Sequence, residues 1–315
     1  NSMETAGSLF MHEGAEFAEV ELADAKIGGL VEMTGSKFTG KLNMNSMETA
    51  GSLLMHEGAE FAEVELVSAK IGKNLDFSGS KLASIDLTGT HVRGEFTLGP
   101  PPTKWLERAK LTLRNTEVVA LQDLSNAWPD TLELDGFTYA LLGGFASEGA
   151  EDMATRQVSW FKEWLEKQEK YSPQPYEQLA KVLRKEGHVG KADDVLYAGK
   201  NRELSEAEGL LGWLGLVLLK VFIGYGYRVY YAIFWFLGFI GLGAFVLRLS
   251  GQGPAHGMPY GIAYSLDMVL PIIRLRERHY DFDLAGWIRY YFYLHKLMGY
   301  VLASFLVAGL SGLTK

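Results

Sequence analysis

Residues 1–29, NSMETAGSLFMHEGAEFAEVELADAKIGG, recur at 45–73 with differences at only four positions: Phe10/Leu54, Ala23/Val67, Asp24/Ser68 and Gly29/Lys73. Self-similarity at a fixed period means stacked units that each leave an apolar face for the next to cover. A finer period lies inside the 44-residue one. The triplets AEF, AKI, SKF, MET, AEF, AKI, SKL and THV return every 10 to 12 residues, each followed by an alternating stretch such as VEL, VEM, LNM, LDF or IDL. Short apolar pairs two apart, punctuated by Gly, Ser and Thr, predict brief strands joined by tight bends. Four such units make two coils of about 22 residues each, a β-solenoid. The chain opens on Asn1, in mid-pattern and without a basic-then-apolar leader, which reads as a piece of a longer protein.

With a small and an apolar residue alternating inward at each coil edge, this segment resembles the pentapeptide-repeat proteins and related β-helices. The resemblance implies a square cross-section and right-handed coiling, although the coils here are longer than a strict five-residue spacing makes them. Recurrence at one place in each unit puts Phe17, Ile27, Phe38, Phe61, Ile71 and Leu82 in the predicted core. A stack of this kind needs several repeats to bury its ladder.

Charge is divided unevenly. Residues 1–99 carry 15 Asp/Glu against 7 Lys/Arg, and the rest of the chain balances at 23 of each. The acidic edge of Glu13, Glu16, Glu19, Glu21, Glu57, Glu60, Glu63 and Glu65 reads as a solvated outer face, or as a surface for a basic protein partner; no nucleic-acid partner is expected. There is no cysteine, hence no disulfide or thiolate chemistry. His12, His56 and His91 form no ligand cluster, and no cofactor is expected.

GPPPTKW (99–105) interrupts the ladder, since proline donates no hydrogen bond to it. Alternation then resumes to about residue 150, as further coils or a cap in which Trp128 and Phe137 plug the open end. From 151 to 206 the period is helical. Val158, Phe161, Trp164 and Leu165 form one stripe, and a helix, a glycine turn and a second helix follow. Tyr176, Leu179, Ala180, Gly187 and Ala192 resemble one tetratricopeptide hairpin.

Residues 207–228 read as an interfacial helix and an elbow. The GYG string at 224–226 also occurs in potassium-channel filters. No outer helix lies upstream, no Thr-Thr-Val precedes it, and Arg228 follows it, so a glycine elbow is the better reading. Two stretches suit membrane-spanning helices: 229–247, 19 residues without a charge, and 290–313, whose entry is aromatic and basic. Gly299, Ala303, Ser304 and Ala308 offer a small-residue face for helix contact. Between them, 259–273 is too short to span and too apolar for an ordinary loop, which predicts a re-entrant or interfacial segment. The whole C-terminal half resembles a bacterial group of solenoid-plus-membrane proteins sometimes labelled membrane-associated oxidoreductases. Two spans put both termini on one side, and a large acidic module with no leader argues for the cytoplasm; with the bacterial resemblance this predicts a two-pass protein of the inner membrane with cytoplasmic termini. The chain has no GxGxxG fingerprint, CxxC or heme-type histidine pair, and no enzyme chemistry is read from it.

The site candidates are Ser265, Asp267, Pro271, Arg274, His295 and Lys296. A carboxylate inside an apolar segment is costly, so Asp267 is expected to face water, a cation or a partner such as Arg274; Pro271 is expected to shape the turn. Two functions fit: an oligomeric membrane channel or gate regulated through the solenoid, with Asp267 attracting cations, or a membrane-anchored solenoid scaffold. Membrane lipid and further copies of the chain are the expected partners. Arg274, Arg276 and Arg278 are candidates for lipid headgroups or for anchoring the loop.

Overall fold

A strand turns successive side chains to opposite faces, so each two-residue motif of the repeat sends one residue to the axis and its neighbour to solvent. The computed structural model describes residues 3–12, 14–145, 152–270 and 272–311. The chain divides into two compact units, residues 1–199 and 200–315.

The first unit begins with a parallel β-solenoid of about six turns and about 22 residues per coil. Its short strands stack into four ladders. The first carries Glu4, Lys26, Glu48, Lys70, His91 and Glu117 outside, with Ile27, Thr49, Ile71, Val92 and Val118 inside. The second stacks Leu9, Val31, Leu53, Leu75, Phe96 and Leu121. The third stacks Phe17, Phe38, Phe61, Leu82 and Trp105, and the fourth Val20, Leu42, Val64, Ile85, Leu111 and Leu132. Phe17, Phe38 and Phe61 lie ring on ring, with centroids 4.9 and 5.0 Å apart, the spacing that neighbouring strands impose. Ile27, Phe38, Phe61, Ile71 and Leu82 are buried; Phe17, in the first described coil, is half-buried.

One corner of the coil needs a left-handed residue. Asp24, Ser46, Ser68, Gly89, Asn115 and Gly136 occupy it in successive coils, all with φ between 54° and 76°. Glycine, or a short side chain that bonds locally, tolerates that conformation, which explains why this position is never apolar or bulky. The prolines of 99–102 lie in a turn outside the ladders, so the strand Lys104–Thr112 still pairs with Lys81–Asp86.

Coils continue beyond the prolines, and Trp128 and Phe137 are both buried. The last coil is closed by helices α1 (Val158–Glu166) and α2 (Pro173–Lys185). Edge strands leave backbone groups unpaired, and glutamines answer them here. Gln168 accepts from the Leu134 amide at 2.8 Å; Gln174 accepts from Gly136 at 2.9 Å and donates to the Phe137 carbonyl at 3.2 Å; Gln178 donates to Tyr139 at 2.6 Å. Helix α3 (Val189–Ser205) follows a turn at Gly187, φ +89°, and the division between the units falls within it.

The second unit holds α4 (Leu210–Ile223), α5 (Tyr230–Leu249), the single turn α6 (Gln252–Ala255), α7 (Ile262–Val269) and α8 (Trp287–Ser311). Two of its helical stretches, Tyr230–Leu249 and Trp287–Ala308, are long and apolar enough to span a membrane. Gly224–Gly226 form a turn between α4 and α5, with Gly224 and Tyr225 left-handed. Phe222 of α4 stacks on Phe305 of α8 at 5.3 Å, and the Trp235 indole of α5 donates to the Val221 carbonyl at 2.9 Å.

Candidate functional site

The segment between the two long helices packs into the second unit through two glycines. Gly243 of α5 leaves room for Ser265 and His295, whose atoms a Cβ there would meet. On α8, a Cβ at Gly299 would collide with the Val269 carbonyl oxygen at the C-terminal end of α7. Glycine is the residue that permits such backbone approach. Contact positions along the helices set the slope of α7. Ser265 meets α5 six residues before Leu249 and α8 eight residues after Trp287, roughly 9 and 12 Å from those ends at 1.5 Å per residue. Val269 meets Gly299, twelve residues along α8, roughly 18 Å from its start. Helix α7 therefore descends between the long helices, its C-terminus deepest.

Two polar clusters form around it. In one, buried Ser265 and His295 meet with Oγ and Nε2 3.2 Å apart, and the Tyr291 hydroxyl lies 3.3 Å from His295 Nδ1. Both imidazole nitrogens thus have a hydroxyl partner, which satisfies a polar ring among apolar helices.

The other cluster centres on Asp267, 0% exposed. Its Oδ1 accepts from the Leu275 amide at 3.0 Å, and its Oδ2 from the Arg276 amide at 3.1 Å and from His279 Nδ1 at 2.9 Å. The Tyr280 hydroxyl donates to the Asp267 carbonyl at 3.2 Å. These bonds do the work of a turn: one carboxylate clasps the chain where it comes back past α7. The Tyr280 ring lies within 4.8 Å of the Arg274 guanidinium and 5.0 Å of the Lys296 ammonium, a cation–π contact with each.

The sequence candidates are thus distributed between two groups. Ser265 and His295 belong to the first; Asp267, Arg274 and Lys296 surround the second. Arg274 reaches Tyr280, while Asp267 bonds to backbone amides and His279. Pro271 lies outside the described residues. His279, Tyr280 and Tyr291 were not singled out by the sequence. Tyr291 stands four residues before His295, a spacing that places both on one helix face and was available to the eye. His279 is twelve residues from Asp267 across a turn, with no periodicity to link them.

The segment clasped by Asp267 is open. Ile272 is 88% exposed, Ile273 and Leu275 are also exposed, and so are Arg274, Arg276 and Arg278. Among the described residues none of the three guanidiniums is in an ion pair; the nearby Asp283 pairs with Arg289 at 2.6 Å. Among the described residues no three of His, Asp and Glu come together as a metal site.

A groove also runs along the first ladder of the solenoid, floored by Gly28, Ala50 and Gly72 and railed by Lys26, Glu48 and Lys70. Its charges alternate and pair, Lys70 with Glu48 at 2.7 Å, so no field of one sign develops there. Of the acidic edge, Glu16, Glu60 and Glu65 are paired with Lys37, Lys81 and Lys41, and Glu13 lies outside the described residues. No family model, curated protein or solved structure matches this chain.

Proposed function

We propose that the chain is a subunit of an oligomeric membrane channel or gate, with the solenoid as the module through which it is regulated. The observation that carries this reading is the exposed segment 272–278, held by Asp267 beside the deep end of α7. If α5 and α8 span a bilayer, Gly299 and Val269 lie near the middle of a hydrocarbon core of roughly 30 Å. The clasped segment then sits well below the interface. Irregular backbone at such depth is tolerated only against protein or a water-filled cavity. An arginine there costs roughly 2.5 to 3.5 kcal/mol in lipid, so three arginines need water or neighbouring subunits to face. Further copies of the chain, arranged around a central axis, supply both.

In this reading the segment from α7 to Tyr280 is a re-entrant loop lining the pathway, with Ser265 and His295 packing it against α5 and α8. Two spans leave both termini on one side, the cytoplasmic side of a bacterial inner membrane. Lipid contacts the outer faces of α5 and α8, where Tyr230, Trp287 and Tyr290 stand exposed as interfacial anchors.

The test is conductance of the purified full chain in planar bilayers, with its subunit number measured by cross-linking in mild detergent. Current from a defined oligomer is the expected result. A folded protein that is monomeric and electrically silent would instead be a tether for the solenoid, whose grooved face suits a scaffold.

A further inference from the structure

We infer that the pathway selects anions, an inference that rests on the channel reading above and names the ion class it admits. A carboxylate between two spans suggests a cation site at first sight. The geometry assigns Asp267 to a different task, because its oxygens are occupied by the Leu275 and Arg276 amides and His279, and none of its surface is open. What the same segment presents outward is Arg274, Arg276 and Arg278, with Glu277 as the one intervening acid. Rings of arginine or lysine at a constriction favour anions, as rings of acids favour cations.

The clasp and the arginines belong to one device. By binding the amides of Leu275 and Arg276, Asp267 fixes the backbone from which the guanidiniums project. The Tyr280 ring contacts Arg274 through its face while its hydroxyl is tied to the Asp267 carbonyl, so that arginine is positioned rather than free to swing. In a symmetric assembly each subunit contributes the same three charges. An ammonium from Lys296 lies against the same Tyr280 ring and adds to the positive field without adding a competing acid. A small inorganic anion such as chloride fits this description, since guanidinium is weakly hydrated and binds anions readily.

The experiment places the full-length protein in a planar bilayer under a potassium chloride gradient and reads the sign of the reversal potential. Wild type is expected to reverse on the chloride side. Joint replacement of Arg274, Arg276 and Arg278 by Gln should move the reversal toward zero or past it, whereas joint replacement by Lys should keep the chloride sign. Circular dichroism and cross-linking of each variant establish that fold and assembly persist, and single Arg276→Gln serves if the triple change does not fold. Reversal on the potassium side, or a selectivity unmoved by the Gln variants, overturns the anion assignment and leaves the channel reading in place. Silence from a folded wild-type oligomer overturns the channel reading and the assignment with it.

Discussion

Gly299 of α8 touches Val269 of α7 backbone to backbone: there is no space for a Cβ between the α8 helix and the Val269 carbonyl oxygen. One layer away Gly243 of α5 is also crowded, but by side chains, the Ser265 hydroxyl and the His295 ring. A methyl group at Gly299 must push α7 out of its seat. Gly299→Ala meets rigid backbone and should be the more damaging, by about 1 to 3 kcal/mol, the usual cost of overpacking. Gly243→Ala meets a serine hydroxyl that can rotate. Thermal melting in detergent orders the two; a Gly299→Ala protein as stable as wild type would mean that α7 is not held there.

Asp267→Asn keeps the shape of the side chain and removes its charge. One side-chain oxygen remains to accept an amide, while the new NH2 faces a second amide donor, which leaves a buried group unsatisfied at about 1 to 3 kcal/mol. The clasped loop 272–280 should then exchange its amide hydrogens and admit protease faster, with the solenoid unaffected. Equal protection in the two proteins would remove the clasp from the account.

In the solenoid, Ile71 is buried in the first ladder between Thr49 and Val92. Ile71→Asp places an unpaired charge in the stack and should abolish cooperative folding of the unit. Ile71→Val, losing one methylene, should cost about 0.5 to 1.5 kcal/mol. Circular dichroism melts of the two variants, read against wild type, test the inward assignment.

The cap makes a separate prediction. Gln178 donates to the Tyr139 carbonyl and Gln174 bonds at both ends to the last coil. Gln174→Ala should cost more than Gln178→Ala, about 1 to 3 kcal/mol, because it strips a partner from two backbone groups at once. Urea unfolding with unchanged slope would show that stability alone has moved.

Acid should loosen the solenoid. Hydrogen bonds from Lys70, Lys81 and Lys41 hold Glu48, Glu60 and Glu65 below the usual glutamate value of 4.5. Carboxyls depressed by folding contribute stability above their unfolded value, and that contribution disappears as pH falls through the folded one. The melting temperature is therefore expected to drop below about pH 4.5. Because these pairs are exposed the drop is small, and salt reduces it. A melting temperature that rises in acid would contradict this sign.

The solenoid and the two long helices were legible in sequence because each obeys a local rule. A two-residue alternation renewed every half coil dictates ladders, since every coil meets only its neighbours; a predominantly apolar run of about 20 residues dictates a helix long enough to cross a membrane. The prolines of 99–102 interrupt the pattern in sequence and lie in a loop on a continuing stack, because an insertion at a corner leaves the register of the next strand intact. The membrane segment is different. Sequence singled out Asp267 as a costly charge expected to face water, a cation or a partner such as Arg274, but Leu275, Arg276 and His279 came to it only through the turn after α7. Backbone amides have no signature in sequence. Which of them a carboxylate meets, and which arginines are left facing outward, is settled when the chain doubles back, and that is decided by how α7 fits against Gly243 and Gly299.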